Sequence, residues 1–103
     1  MAYKTEETRL AVQDLDEILE YIAYSLSSPT AASSFADEME KCYANLEHMP
    51  LMYEPCRDPQ LFALGYRKAV IKNYILIYKV RESEKTIYIL RIFHSRQNYV
   101  DLV

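Results

Sequence analysis

The stretch "YRKAVIKNYILIYKVRESEKTIYILRIFHSR", residues 66–96, decides the fold. Apolar and β-branched residues recur there with a period of two, which is the signature of strands. The pattern gives three of them, over 66–71, 74–80 and 87–93. "KN" at 72–73 and the charged "RESEKT" at 81–86 are turn-like, and links this short make the strands antiparallel neighbours. Simple alternation puts Tyr74, Leu76, Tyr78 and Val80 on one face of the middle strand, with Ile75, Ile77 and Lys79 on the other. In the last strand it sets Ile87, Ile89, Arg91 and Phe93 opposite Tyr88, Leu90 and Ile92. Both faces are largely apolar, so one covers a helical layer and the other is either buried as well or open to a partner.

Upstream the period changes. Leu15, Ile18, Leu19, Ile22 and Leu26 follow the i, i+3, i+4, i+7 spacing of an amphipathic helix from Arg9 to about Leu26, capped near Thr8. Asp14, Asp16, Glu17 and Glu20 take its outer face. Ser28 followed by Pro29 is a second start signal: the hydroxyl accepts free N–H groups, and proline suits the first helical position. That helix runs to about His48 with the stripe Phe35, Met39, Cys42, Tyr43 and Leu46. Residues 50–64 hold three of the four prolines and read as a connecting loop. The opening residues 2–7 read as a weak strand, and "SRQNYVDLV" as a short helical turn or an extended tail. The fold expected is α+β in the order β-α-α-β-β-β: an N-terminal strand, then an antiparallel helical hairpin packed on a C-terminal antiparallel sheet.

Length and composition fit one domain over residues 1–103 with an adequate core, since half of the residues are apolar. No run of about 18 uncharged apolar residues is present to span a membrane, and "MAYKTEETRL" lacks a signal-peptide core. A cytoplasmic, bacterial-style protein is expected. Cys42 and Cys56 read as buried or incidental thiols. With His48 and His94 they match no zinc spacing, and a single glycine, Gly65, excludes a glycine-rich phosphate loop. No metal and no cofactor are expected. The net charge of −3 divides into −7 over residues 1–50 and +4 over residues 51–103, so an anionic partner would meet the C-terminal half.

The combination of "DLDEILEYI", "AASSFADEMEKCYANLEHMP", "LGYRKAVIKNYILIYKV" and "IYILRIFHSRQ" resembles the RelE/ParE superfamily of type II toxin–antitoxin toxins over nearly the whole chain. "GYRK" and "RIFHSRQ", in this order and spacing, are its most specific pieces. The resemblance implies the same element order and a cognate antitoxin as partner, in a toxin–antitoxin hetero-oligomer. It implies one of two activities: ParE-like poisoning of DNA gyrase, as in plasmid stabilisation, or RelE-like cleavage of mRNA on the ribosome. Many RelE-like members read "YRLVY" in the middle strand, with an arginine for the phosphate. Here the stretch is "YILIY" and that position is Ile75, which neither binds phosphate nor moves a proton. The "GYRK" and "RIFHSR" pieces are closer to the ParE branch, so a gyrase-binding toxin is the first expectation and an mRNA endoribonuclease the second. A degenerate, non-toxic protein-binding module is the third.

Cleavage through a ribose 2′-OH needs a base, a cation for the developing charge and an acid for the leaving oxygen. The residues available for it are His94, Arg91, Arg96 and Arg67, with Lys72 as a further cation. His94 is read first as a structural hydrogen-bonding residue, and Arg91 as the partner of an acid on the helices. Arg67, Lys68, Tyr74, Tyr78, Arg96 and Tyr99 are the expected partner-binding residues. Tyrosine supplies apolar area with a polar tip, which suits an interface.

Overall fold

The computed structural model describes residues 2–103. Its elements are β1 (Lys4–Glu7), α1 (Arg9–Glu20), α2 (Pro29–His48), α3 (Pro59–Ala63), β2 (Tyr66–Ile71), β3 (Tyr74–Arg81), β4 (Thr86–His94) and α4 (Tyr99–Leu102). The strands form one sheet in the order β1-β4-β3-β2. The two hairpins are antiparallel as expected, whereas β1 lies parallel to β4, from Lys4 opposite Thr86 to Glu7 opposite Ile89. The sheet is therefore mixed, with the helical hairpin packed on one face.

Both helix starts are those read from the sequence. The Thr8 hydroxyl accepts the Ala11 N–H, and the Ser28 hydroxyl accepts the Ala31 N–H. On α2 the buried residues are Ala32, Phe35, Met39, Cys42 and Leu46, and they meet Leu76, Tyr78, Ile87, Ile89 and Ile92 of the sheet in the main core. Burying each of the Leu, Ile, Phe and Met side chains among them contributes roughly 1.5–3 kcal/mol.

Four local features depart from the simple patterns. The first helix ends in a π-helical turn, Tyr21–Ser25, which adds a residue to the last turn. Ile22 stays buried, but Leu26, expected on the inner stripe, is 55% exposed, and Tyr21 and Tyr24 also point outward. The 50–64 loop contains α3, started by the Asp58 carboxylate, which accepts the Gln60 and Leu61 N–H groups. The β3–β4 register shifts between Ile77 and Tyr78: Tyr78 faces Ile89 but Ile77 faces Arg91, so Leu90 is the extra residue of a bulge. Ile87, Ile89 and Ile92 consequently share the helix-side core, while Leu90 and Phe93 pack on the far side. That far side is itself covered, by Cys56, Leu61, Tyr99 and Val100 over Ile75 and Ile77. Both cysteines are buried and free, and no helix among the described residues is long and apolar enough to cross a membrane.

β1 is short, so the edge of β4 beyond Ile89 has no strand beside it. The first turns of α1 close that edge. Thr8 donates its N–H to the Ile89 carbonyl and its hydroxyl to the Leu90 carbonyl. Asp14 then accepts the Ile92 N–H at 3.0 Å together with Nε and Nη2 of Arg91 at 2.7 and 3.1 Å. Removing this carboxylate leaves two of the Arg91 N–H groups and a strand-edge N–H without an acceptor and the guanidinium without its counter-charge. Asp14→Ala is expected to cost about 2–4 kcal/mol, the range for breaking a buried pair in a partly wet site. Urea and thermal unfolding check this, with a fall in Tm of roughly 10 °C or more.

Candidate functional site

A cleft of about 770 Å³ opens between the helical hairpin and the free end of the β3–β4 pair. One wall is α1 and its π-helical turn, with Glu17, Ile18, Tyr21, Ile22 and Leu26. The floor is Phe35, Tyr74 and Ile92. The other wall is the Lys72-Asn73 turn with His94, Arg96 and Gln97. The π-helical turn brings Tyr21 and Leu26 to the mouth. The β2–β3 turn holds Lys72 on the opposite lip in the left-handed conformation, φ 54°, a backbone state that costs a residue with a Cβ about 1–3 kcal/mol.

Five of the residues expected to carry function meet here: His94, Arg91, Arg96, Lys72 and Tyr74. Tyr74 packs against Phe35, with centroids 4.9 Å apart, and against the His94 ring in a T-shaped arrangement with centroids 5.2 Å apart. Burial raises its hydroxyl pKa. His94 caps the turn that follows β4. Its Nδ1 accepts the Arg96 backbone N–H at 3.1 Å, and its own N–H donates to Gln97 Oε1 at 3.0 Å. With Nδ1 occupied as an acceptor, the neutral ring carries its proton on Nε2. Arg91 is the arginine expected to find a helical acid, and Asp14 is that acid. The hydrogen bond to Asp14 holds the guanidinium above its ordinary pKa. Its Nη1 donates to the Leu102 carbonyl at 3.0 Å, and its carbon lies 4.6 Å from the centre of the Phe93 ring.

The other expected residues lie elsewhere. Arg67 donates from Nη1 to the Tyr53 carbonyl at 2.6 Å and sits opposite Tyr78. Tyr78 and the cleft residue Tyr74 are four positions apart on β3, about 13 Å along the strand. Lys68 and Tyr99 are together, 5.6 Å from ammonium to ring centre, on the far face of the sheet. Tyr78 is not a surface residue at all. It is fully buried, its hydroxyl donates to the Pro50 carbonyl at 3.1 Å, and burial pushes its pKa up to about 12. Ile75 is also buried, beneath Cys56 and Leu61, on the face away from His94.

The sequence reading missed the roles of Asp14, Glu17 and Tyr21. Their signal was present: with Leu10 they fall at i, i+4, i+7 and i+11, one continuous stripe on α1 beside the apolar one. Among the described residues no three His, Cys, Asp or Glu side chains are grouped to hold a metal ion.

Comparison with known proteins agrees with this architecture. The family described as "ParE toxin of type II toxin-antitoxin system, parDE" matches residues 6–99, and the chain belongs to it, within the RelE/ParE superfamily of type II toxins. Among solved structures, the ParDE system of P. aeruginosa is similar at 23% identity and a TM-score of 0.71, over 90% of this chain and 96% of that one. The RelBE2 toxin–antitoxin complex of Mycobacterium tuberculosis is similar at 24% identity and 0.65, over 91% and 99%. A mutant of the E. coli toxin RelE in the free state gives 14% and 0.69, over 99% and 93%. No curated protein matches by sequence.

Since Nδ1 of His94 serves a backbone N–H, its loss is a loss of one partly exposed hydrogen bond. His94→Ala is expected to cost about 0.5–1.5 kcal/mol, or roughly 3–10 °C in Tm. His94→Gln, which keeps an acceptor, should cost less and leave growth arrest intact. Thermal unfolding and arrest assays at matched expression check both.

Proposed function

We propose that this toxin arrests growth by binding, in the manner of the ParE branch, with DNA gyrase as target and a cognate antitoxin as its neutralising partner in the cytoplasm. The observation that carries this reading is the state of the residues an RNA-cleaving site would need. Arg91 is held by Asp14, Arg67 is held by the Tyr53 carbonyl away from the cleft, and Ile75 stands where a phosphate-binding arginine is expected. His94 has given one ring nitrogen to the backbone. With Arg91 and Arg67 engaged, the cations left beside His94 are Lys72 and Arg96 on the exposed rim, which supports binding over proton-transfer catalysis, where base, cation and acid must lie within hydrogen-bond reach of the reacting atoms. What the cleft offers instead is apolar area with charged rims, which is the anatomy of a protein interface. The relatives solved as toxin–antitoxin complexes support an antitoxin as the partner.

Two assays on the purified chain test this reading together. Inhibition of gyrase supercoiling with trapped cleavage complexes is expected, and mRNA in a translating extract should stay intact. Intact gyrase activity alongside cleaved mRNA would replace the binding reading with the ribonuclease one. In that case Arg67→Ala, Lys72→Ala and Arg91→Ala should each lower cleavage by about 100-fold, as for loss of a charge-stabilising group. Co-expression of the product of the adjacent gene should relieve arrest and retain the toxin in a pull-down.

A further inference from the structure

The two rims of the cleft carry opposite charge. On the α1 side Glu17 faces the opening, within a stretch from Leu10 to Glu40 that has seven acidic residues and no lysine, arginine or histidine. On the other side stand Lys72 and Arg96, with His94, whose ring packs on Tyr74. Neither Lys72 nor Arg96 makes an ion pair among the described residues. Arg91 and Asp14 also line the cleft, but they neutralise each other at 2.7 Å. Between the rims lies the apolar floor, and at the mouth Tyr21 and Leu26 are more than half exposed.

The form of the occupant follows from the strand edge. A segment can add to a sheet only where backbone N–H and C=O groups are free. Along the part of β4 that borders this cleft most are taken: Asp14 accepts the Ile92 N–H, and Gln97 accepts the His94 N–H on Oε1 and donates its own N–H to the His94 carbonyl. A segment lying here finds an apolar floor and side-chain rims but no strand ladder. It must satisfy its own backbone, and an α-helix does so.

We infer that the cleft selects a partner helix with flanks of opposite charge: lysine or arginine toward Glu17 on α1, and aspartate or glutamate toward Lys72 and Arg96. The apolar stripe between the flanks rests on the half-buried Ile18 and Tyr74 and on the exposed Tyr21 and Leu26. Such pairing fixes the direction in which the helix lies, because reversing the chain places each flank against a rim of its own sign. Like-charge juxtaposition at an interface is strongly unfavourable and discriminates against wrong partners. This inference rests on the reading of the cleft as a partner site.

The test is selection from a displayed library of amphipathic helices. Their apolar stripe is drawn from Leu, Ile, Phe and Tyr, and lysine or glutamate is randomised independently on each flank. The parent chain should enrich helices with one basic and one acidic flank. In solution these should bind at least tenfold tighter than versions with both flanks basic or both acidic, with the advantage fading above about 0.5 M salt as screening shortens. The toxin variants then switch the preference. Lys72→Glu with Arg96→Glu makes both rims acidic and should select helices basic on both flanks. Glu17→Lys makes both rims basic and should select helices acidic on both flanks. Circular dichroism and unfolding curves confirm that each variant is folded. Binders without flank preference, or a preference unchanged by the variants, overturn the charge rule while leaving the cleft as a partner site. Failure to enrich any helix that Tyr21→Ala with Leu26→Ala weakens overturns both.

Discussion

A single carboxylate, Asp14, accepts three hydrogen bonds that tie the helical layer to the sheet: two from the Arg91 guanidinium and one from the Ile92 N–H. β1 ends opposite Ile89, and without Asp14 the strand that carries His94 would have an open edge over its last residues. Because the acid sits on α1 and the donors on β4, the same contact fixes the spacing between the two walls of the cleft. It also settles the state of Arg91. A guanidinium held bidentate by a carboxylate is oriented and compensated, so it serves as a strut between the layers rather than as a free cation for a phosphate. The Leu90 bulge belongs to this arrangement, since it redirects the end of β4 so that Ile92 enters the core and Arg91 meets Asp14.

Much of the fold was legible because its signals are periodic. The three C-terminal strands, both helix starts at Thr8 and Ser28, and the inner stripe of α2 follow directly from residue spacing and capping chemistry. What escaped was every place where the period slips by one residue. The bulge at Leu90 and the π-helical turn at Tyr21–Ser25 both insert a residue without any glycine or proline to mark them, and each changes which side chains face outward. α3 was hidden in a proline-rich stretch, although Asp58 before Pro59 is a legible helix start in retrospect. The parallel pairing of β1 depends on contacts about 80 residues distant in sequence, which no local pattern encodes.

The same split applies to the site. Tyr74, read from the sequence as a partner-binding residue apart from His94 and Arg91, shares their cleft because strand register places 74 opposite 94. Tyr78 was misplaced for a simple reason: a tyrosine on the helix-facing side of a central strand is buried whenever its hydroxyl finds a partner, and the Pro50 carbonyl supplies one. Arg67 and Lys68 are adjacent in sequence but point to opposite faces of β2, so no single partner surface contains both together with the cleft. The charge asymmetry between the halves of the chain also takes a finer form in three dimensions. The acidic helical layer and the basic C-terminal strands meet across one groove, so the asymmetry becomes a difference between its two rims.

The claim on which the account turns is that Arg91 acts as a strut and that arrest arises from binding. It is tested most directly by replacing the ion pair with a neutral one, Asp14→Asn with Arg91→Gln, and measuring growth arrest per folded molecule. The amide pair keeps an acceptor for the Ile92 N–H and a donor across the interface while removing both charges. The account predicts a folded protein whose arrest stays within about tenfold of the parent. A folded variant whose arrest falls by about 100-fold or more, the loss expected when a charge-stabilising catalytic group is removed, would contradict it.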